Sequence, residues 1–537
     1  MKEVIFLFYN STDSPDFTNY FRFIEYSFNI TNDTQSEQGF FFYNLHSNYF
    51  YIRNFNFSPN NFFILFSRSI QELNTIFFLI GSMGIYRLLK IYDYTNLQIV
   101  TSLVLINYLP LTVALRMVLK PEILVFAFLP WLIVCYEEFI ISKNCKYLYL
   151  SVPLLLPLIT QKGSISAMVV IFLLIYYFPK IFLTLIRNHK KDFFVISFLI
   201  IFLFNLTIIE NSSINNIGFT DLQSGSQSEA KYDNKGKISL FYKLNPEKLI
   251  FYPYKHLHSE SAIHITLLDS FGDYFDLYWN SDSSNFYQTR HELFVFEYSE
   301  SAKIPSIDLE NKTIKIYTQN EINNYFLRRT TSVIAAIYFY YLLIYFYLKV
   351  EKNKKKFFTL PFIGITLLLM HVISGFPQNN FDPLIGDTLK PLYYGFFIII
   401  SFSFTISELI KSKISSFLFL ILFIPTFMFI FGFPRDYHVE NVSKVVEVNS
   451  YSEMCRFNYY IFKFENLPPS YKTCDSNENP IYIKSDYKNS NNFKIQPRIR
   501  LVNSLLTMLS SFSLAYLFFY KFNLIKMLFF NRLKNNI

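Results

Sequence analysis

Long apolar runs recur along this chain and are separated by short polar turns and by three longer polar segments. Windows of about 18 or more mostly apolar residues predict membrane-spanning helices, because a helix needs about 20 residues to cross the hydrocarbon core. The window at 147–160 is the weakest, since it is short and contains Pro153 and Pro157. A spanning helix accommodates such prolines only where neighbouring helices satisfy the freed carbonyls. The eleven windows lie near 67–89, 97–115, 122–141, 147–160, 164–186, 193–210, 330–348, 357–376, 391–409, 414–433 and 500–520.

Basic residues follow every second window and therefore mark one side of the membrane, which the positive-inside rule makes cytoplasmic. The C-terminus then lies inside and residues 1–62 lie outside. Only Val4 to Tyr9 could have translocated that segment, and these six residues are too few for a signal sequence. We therefore expect either that a first span is missing or that Val4 to Tyr9 is the remnant of one, with twelve spans in the complete bundle. Alternatively 147–160 does not cross, which would reverse the sidedness of the early loops.

This arrangement predicts an all-α polytopic membrane protein with six regions. Two outer segments flank the C-terminal bundle. Cys455 and Cys474 both lie in the second of them, outside the cytoplasm, where conditions allow two cysteines to form a disulfide. The regions are a first extracytoplasmic loop with an interfacial helix (1–62), an N-terminal transmembrane bundle (63–210), a large extracytoplasmic loop (211–328), a C-terminal transmembrane bundle (329–433), an extracytoplasmic segment (434–498), and the last span with a cytoplasmic tail (499–537).

Composition agrees with a membrane protein, since 52% of the residues are apolar and 20% are aromatic. The net charge of +9 comes largely from lysines of the cytoplasmic turns. No basic stripe interleaved with aromatic residues lies on a soluble domain, so nucleic acid is not expected as a partner. The sequence contains no CxxC or HExxH motif, and it therefore supports no metal site.

The first outer loop carries one candidate catalytic group, Asp16. It precedes a stripe of apolar residues at helical spacing, which predicts a helix lying in the membrane interface. Asp16 is either only the N-cap of this helix, or a carboxylate held at the outer surface that takes a proton from an acceptor hydroxyl. The stripe consists of Phe17, Tyr20, Phe21, Ile24 and Phe28.

Charged residues in the outer turns run against the positive-inside trend. Arg116, Lys120 and Glu122 lie between two windows, and Lys162 lies in the next outer turn. They either snorkel or pair with one another, or the cations bind a lipid phosphate while Glu122 orients one of them.

Candidate contacts for an acceptor or a sugar lie farther along the chain. His256, His258 and Glu260 of the large loop either line an acceptor cleft or belong to a solvated loop. Asp382 either contacts the sugar or serves turn formation around Pro383.

The segment Ser14-Pro15-Asp16, the turn Lys120-Pro121-Glu122 that opens a span, the many spans and the large outer loop resemble the GT-C superfamily of membrane glycosyltransferases. The protein mannosyltransferases and aminoarabinose transferases of this class use polyprenyl-phosphate sugars. The resemblance covers mainly residues 11–190, and the absent first span departs from the family pattern.

The resemblance implies a GT-C-like bundle of 11 or 12 transmembrane helices in the inner or plasma membrane, with its active site on the extracytoplasmic face. It implies an inverting hexosyltransferase in which Asp16, or else Asp13, is the base and a glycan, lipid or protein is the acceptor. Arg116, Lys120 and Lys162 would stabilise the departing phosphate electrostatically. No metal or other cofactor is then expected.

Two other functional classes are compatible with a multi-span chain of this kind. A non-enzymatic polysaccharide or lipid transporter should bury charges at mid-membrane, whereas the unusual charges here lie in outer turns. A non-enzymatic scaffold would catalyse no reaction, and Asp16 would then be dispensable for its function. A polysaccharide polymerase or ligase also acts on polyprenyl-linked sugars, but outer loops of such proteins tend to be rich in arginine, and those of this chain are not.

Overall fold

The computed structural model describes residues 27–28, 41–54, 62–107, 109–117, 119–161, 163–215, 267–268, 270–271, 305–308, 313–316, 319–373, 391–411 and 500–522. Most of these residues are helical. A short antiparallel hairpin pairs β1 (Pro305–Asp308) with β2 (Thr313–Ile316). The helices are α1 (Phe41–Arg53), α2 (Phe62–Ile91), α3 (Asn96–Asn107), α4 (Pro110–Met117), α5 (Glu122–Ser142), α6 (Lys146–Ile159), α7 (Gly163–Tyr176), α8 (Phe178–Asn188), α9 (Lys190–Asn215), α10 (Gln319–Lys349), α11 (Lys355–Ile373), a 3₁₀ helix (Pro391–Tyr394), α12 (Gly395–Lys411) and α13 (Leu501–Phe522).

Four segments of the described chain are long and apolar enough to cross a membrane, and a fifth is obtained if the bent pair α7 and α8 counts as one span. The four are Glu122–Ser142, Lys190–Glu210, Thr330–Lys349 and Leu501–Phe518. Helix α9 exposes large apolar side chains, among them Phe194, Phe198 and Ile201, which suits contact with lipid. These features are those of a multi-pass membrane protein.

Prolines interrupt two of the predicted spans. The window at 97–115 is divided between α3 and α4, and α4 begins at Pro110, where proline fits the first helical turn and disfavours a helical conformation of the preceding residue. The window at 164–186 bends by 58° between α7 and α8, and Pro179 lies in the first turn of α8. The predicted window at 414–433 lies outside the described residues.

Helix α6 remains continuous although it contains Pro153 and Pro157. Pro157 has no N–H group, so it cannot satisfy the carbonyl of Pro153 four residues earlier. The Ser510 hydroxyl of α13 donates a hydrogen bond to that carbonyl at 2.6 Å. The sequence-based expectation that a neighbouring helix satisfies a freed carbonyl is therefore confirmed at this position.

Helix α5 forms the core of the bundle and packs closely along α2. The Trp131 indole donates a hydrogen bond to the carbonyl of Ile80 at 2.8 Å. A Cβ atom on Gly81 would lie 2.5 Å from the carbonyl oxygen of Phe126, and one on Gly84 would lie 2.8 Å from Pro130. Small residues thus permit the close approach of the two backbones. We name the two ends of the bundle after the two ends of α5, the Glu122 end and the Lys143 end.

Buried carboxylates at the Lys143 end contact cations from other parts of the chain. Lys354 and Lys356 follow α10 in the sequence, yet both are buried because they meet these carboxylates. The pairs hold the ends of α2, α5, α11 and α12 together, and they are Arg87 with Glu138, Lys356 with Glu137, and Lys354 with Glu408.

Helix α1 is an element that the apolar pattern did not predict. It packs against α2 and buries His46 between Phe42 and Phe77. Burial lowers the pKa of His46 to about 3, while the neighbouring Asn74 side chain acts in the opposite direction. The interfacial helix predicted after Asp16 lies outside the described residues except at its end.

Candidate functional site at the Glu122 end

Three of the predicted site residues are described: Arg116, Lys120 and Glu122, which we call the Arg116–Glu122 cluster. All three are buried, with exposed fractions of 4%, 0% and 0%. Outside the described residues lie Asp13, Asp16, Lys162, His256, His258, Glu260 and Asp382, together with Cys455 and Cys474.

Arg116 is held by the break between α3 and α4. Its Nη1 donates to the side-chain oxygen of Asn107 and its Nη2 donates to the backbone carbonyl of Asn107, each at 2.9 Å. A carbonyl at the end of a helix has no partner within that helix, so the interruption supplies the acceptor. The guanidinium also lies 4.8 Å from the ring centroid of Phe78. Arg116 is therefore fixed in orientation by contacts from α2 and α3.

Lys120 lies in the turn before α5, with its Nζ 5.6 Å from the ring centroid of Tyr393. Tyr393 belongs to the 3₁₀ helix Pro391–Tyr394, which packs against α4, α5 and α7. A snorkelling lysine extends its ammonium group to water, whereas this residue is completely buried. Its burial places a second cation inside the same end of the bundle.

Glu122 is the first residue of α5, where the helix dipole favours a carboxylate. Both carboxylate oxygens are buried, and neither accepts a hydrogen bond from any described residue. The orienting contact with a cation that the sequence suggested is therefore not seen in the described part of the chain. A buried acceptor without a partner is costly, so a bound group that donates a hydrogen bond to Glu122 would be favoured.

Gln161 is a further polar residue at this end, and the sequence reasoning did not single it out. It follows α6 and is 5% exposed, and within the described ranges neither its amide oxygen nor its amide nitrogen has a hydrogen-bond partner. The amide can both donate and accept. The burial of this amide is a structural signal that the sequence alone does not contain.

The Arg116–Glu122 cluster has two cations and one carboxylate, so its formal charge is positive. It also lies at the N-terminus of α5, where backbone N–H groups favour an anion. Guanidinium and ammonium groups that are shielded from water interact strongly with phosphate oxygens. Chemically, the cluster is suited to bind one anionic group. Glu122 and Gln161 could form hydrogen bonds with hydroxyl groups of the molecule that carries this anion.

A second group of polar side chains comes together at the Lys143 end, from positions that no short motif connects. Cys145, His189 and Asp192 place one potential ligand atom each within 4.8 Å of one another.

Comparison of the chain with models of protein families, with curated proteins and with solved structures finds no match.

Proposed function

We propose that this protein is an integral membrane glycosyltransferase that moves a sugar from a polyprenyl-phosphate donor to an extracytoplasmic acceptor. The observation that carries the proposal is that Arg116 and Lys120, which lie four residues apart in the chain, are both buried at the Glu122 end. Burial of two cations in one region raises its affinity for an anion, because little water is present to screen their charge. A lipid phosphate that enters from the surrounding bilayer is an anion that such a position can recruit.

The proposed architecture is a GT-C-like bundle of eleven or twelve spans. Ten of the eleven predicted windows overlap described helices, with the interrupted pairs α3 with α4 and α7 with α8 each counted as one crossing. The positive-inside rule puts the lysine-rich turns in the cytoplasm. The Glu122 end then faces the extracytoplasmic side, and the C-terminus is cytoplasmic.

The proposed reaction is a direct displacement at the anomeric carbon of the donor sugar. The acceptor hydroxyl oxygen forms a bond to that carbon while the bond to the phosphate oxygen breaks, and the configuration inverts. Asp16, or else Asp13, takes the hydroxyl proton. Arg116, Lys120 and Lys162 stabilise the negative charge that develops on the phosphate oxygen of the departing polyprenyl phosphate.

The other polar residues of the proposed site contact the donor sugar or the acceptor. Glu122 accepts a hydrogen bond from a sugar hydroxyl, and Gln161 contacts the same sugar. The acceptor or sugar contacts from the outer loops are His256, His258, Glu260 and Asp382. The cations supply the charge stabilisation at the phosphate, so the proposal includes no metal and no other cofactor.

The test is mass spectrometry of the lipids that copurify with the protein in mild detergent. The variants are Arg116→Gln/Lys120→Gln, Asp16→Asn and a control, Lys143→Gln/Lys146→Gln, which removes two charges at the opposite end. We expect polyprenyl phosphate, free or glycosylated, with the wild type and the control, and at least tenfold less with Arg116→Gln/Lys120→Gln. Asp16→Asn should retain the glycosylated form, because transfer is blocked after the donor binds.

Recovery of bulk phospholipid alone, unchanged by the Arg116→Gln/Lys120→Gln substitutions, would contradict the proposal and favour a transporter or scaffold. Polyprenyl diphosphate carrying a chain of several sugars would instead favour the polymerase or ligase class, which acts on such lipids.

A further inference from the structure

Cys145, His189 and Asp192 meet at the Lys143 end, far from the Arg116–Glu122 cluster along α5. Cys145 immediately precedes α6, His189 joins α8 to α9, and Asp192 lies in the first turn of α9. Their three ligand atoms lie within 4.8 Å of one another, and Nδ1 of His189 is 3.5 Å from Oδ2 of Asp192. Two separate junctions of the chain therefore contribute to one cluster.

The donor atoms suit a transition-metal ion of the zinc type. Thiolate sulfur, imidazole nitrogen and carboxylate oxygen are its common ligands, and neighbouring ligand atoms around a tetrahedral ion are roughly 3.5 Å apart. The distance between His189 and Asp192 equals that spacing, and the distances to the sulfur of Cys145 exceed it by no more than about 1.3 Å. One thiolate and one carboxylate also balance the charge of a divalent ion, which matters at the edge of a low-dielectric bundle.

The carboxylate of Asp192 is already oriented by a neighbour. The Tyr149 hydroxyl donates a hydrogen bond to Oδ1 of Asp192 at 2.8 Å, while Oδ2 is the oxygen that faces His189. Hydrogen bonds of this kind position metal ligands and typically change affinity about 10- to 100-fold.

We propose that Cys145, His189 and Asp192 bind one divalent transition-metal ion, with a water molecule as the fourth ligand, and that the ion fastens the turn between α5 and α6 to the junction of α8 and α9. The site is separate from the proposed transferase site and does not depend on it. The thiol proton is released to solvent as the sulfur–metal bond forms.

The experiment loads chelator-treated protein in detergent with Co²⁺ and records its absorption spectrum. We expect about one Co²⁺ per chain, a near-ultraviolet thiolate-to-cobalt charge-transfer band, and visible bands of tetrahedral intensity. Cys145→Ser should abolish the charge-transfer band, and His189→Gln and Asp192→Asn, which each remove a ligand, should weaken affinity by more than about a hundredfold. Tyr149→Phe should weaken affinity by about tenfold and retain the band, because it removes only a hydrogen bond to a ligand.

Two controls identify the sulfur. Cys135→Ser removes a buried thiol in the interior of α5, and Cys455→Ser/Cys474→Ser removes both cysteines of 434–498; each should retain the band. The proposal is overturned if wild-type protein shows no thiolate band, or if the band survives Cys145→Ser. If Cys145→Ser does not fold, Asp192→Asn decides the question, since a site that includes this carboxylate must lose affinity for Co²⁺ without it.

Discussion

Arg87 and Glu138 form an ion pair that joins α2 to α5 at the Lys143 end, with 2.5 Å between Nη2 and Oε1. The two helices run in the same direction, and their contact continues through Gly84 beside Pro130 to Gly81 beside Phe126. The ion pair therefore lies at one end of the interface between α2 and α5, and farther along this interface Gly84 and Gly81 allow the two backbones to approach closely.

Substitution of Gly81 by alanine should destabilise the protein. The new Cβ would lie 2.5 Å from the carbonyl oxygen of Phe126, so α2 and α5 must separate and the Trp131 hydrogen bond to Ile80 must lengthen. Overpacking of this kind costs about 1–3 kcal/mol. Thermal unfolding in detergent measures the effect, with Ser82→Ala on the same helix as a control that should change little. Equal unfolding temperatures for Gly81→Ala and wild type would contradict the packing described.

The buried pair of Lys356 and Glu137 should show strong coupling in a double-mutant cycle. Either single change, Lys356→Gln or Glu137→Gln, leaves one charge buried without its counterion, which costs about 3–5 kcal/mol. The double variant should lose less stability than the sum of the two single variants, because it removes both charges. Unfolding temperatures of the four proteins measure the coupling, and strict additivity would mean that the two groups do not interact.

Ser510→Ala should destabilise the junction of α6 and α13. The carbonyl of Pro153 would lose its donor from α13, and the loss of such a bond costs about 1 kcal/mol. Ser511→Ala is the matched control, because Ser511 is the next residue of the same helix and is exposed. A lower unfolding temperature for Ser510→Ala alone is expected, whereas equal effects of the two variants would contradict the assignment.

His46 should make stability fall at acidic pH. Its pKa in the folded protein is about 3, against 6.5 for an unperturbed histidine, so between these values only the unfolded chain takes up the proton. This contribution to stability is therefore intact above pH 6.5 and decreases as the pH falls through that window. Each unit by which the pH falls within this window lowers the free energy of unfolding by about 1.4 kcal/mol.

Comparison of wild type with His46→Gln from pH 8 to pH 5 measures this effect. At pH 5 the wild type should have lost about 2 kcal/mol more than the variant, while above pH 7 the two curves should run parallel. Curves that stay parallel down to pH 5 would show that His46 is not buried in its neutral form.

The sequence predicted the helices with the clearest apolar runs, as α5 and α9 show. It did not predict the interruptions at Pro110 and Pro179, because a hydropathy window averages over the few residues where proline acts. It also missed α1, whose polar and aromatic residues are buried by contact with α2 rather than by membrane.

The candidate site was predictable only in part. Arg116, Lys120 and Glu122 stood out because charges in outer turns are unusual, but their burial depends on Asn107, Phe78 and Tyr393 from other elements. Gln161 carried no signal in the sequence. Cys145, His189 and Asp192 come together only because α8 and α9 fold back beside the start of α6, and no local spacing encodes that.

The most direct test of the central claim compares binding of a polyprenyl phosphate with binding of the uncharged polyprenol of the same chain length, by native mass spectrometry. If Arg116 and Lys120 hold a lipid phosphate, the wild type should prefer the phosphate at least tenfold. Arg116→Gln/Lys120→Gln should lose that preference, and the control Lys143→Gln/Lys146→Gln should keep it. Equal binding of the two lipids by the wild type, or a preference unchanged in Arg116→Gln/Lys120→Gln, would contradict the proposed function.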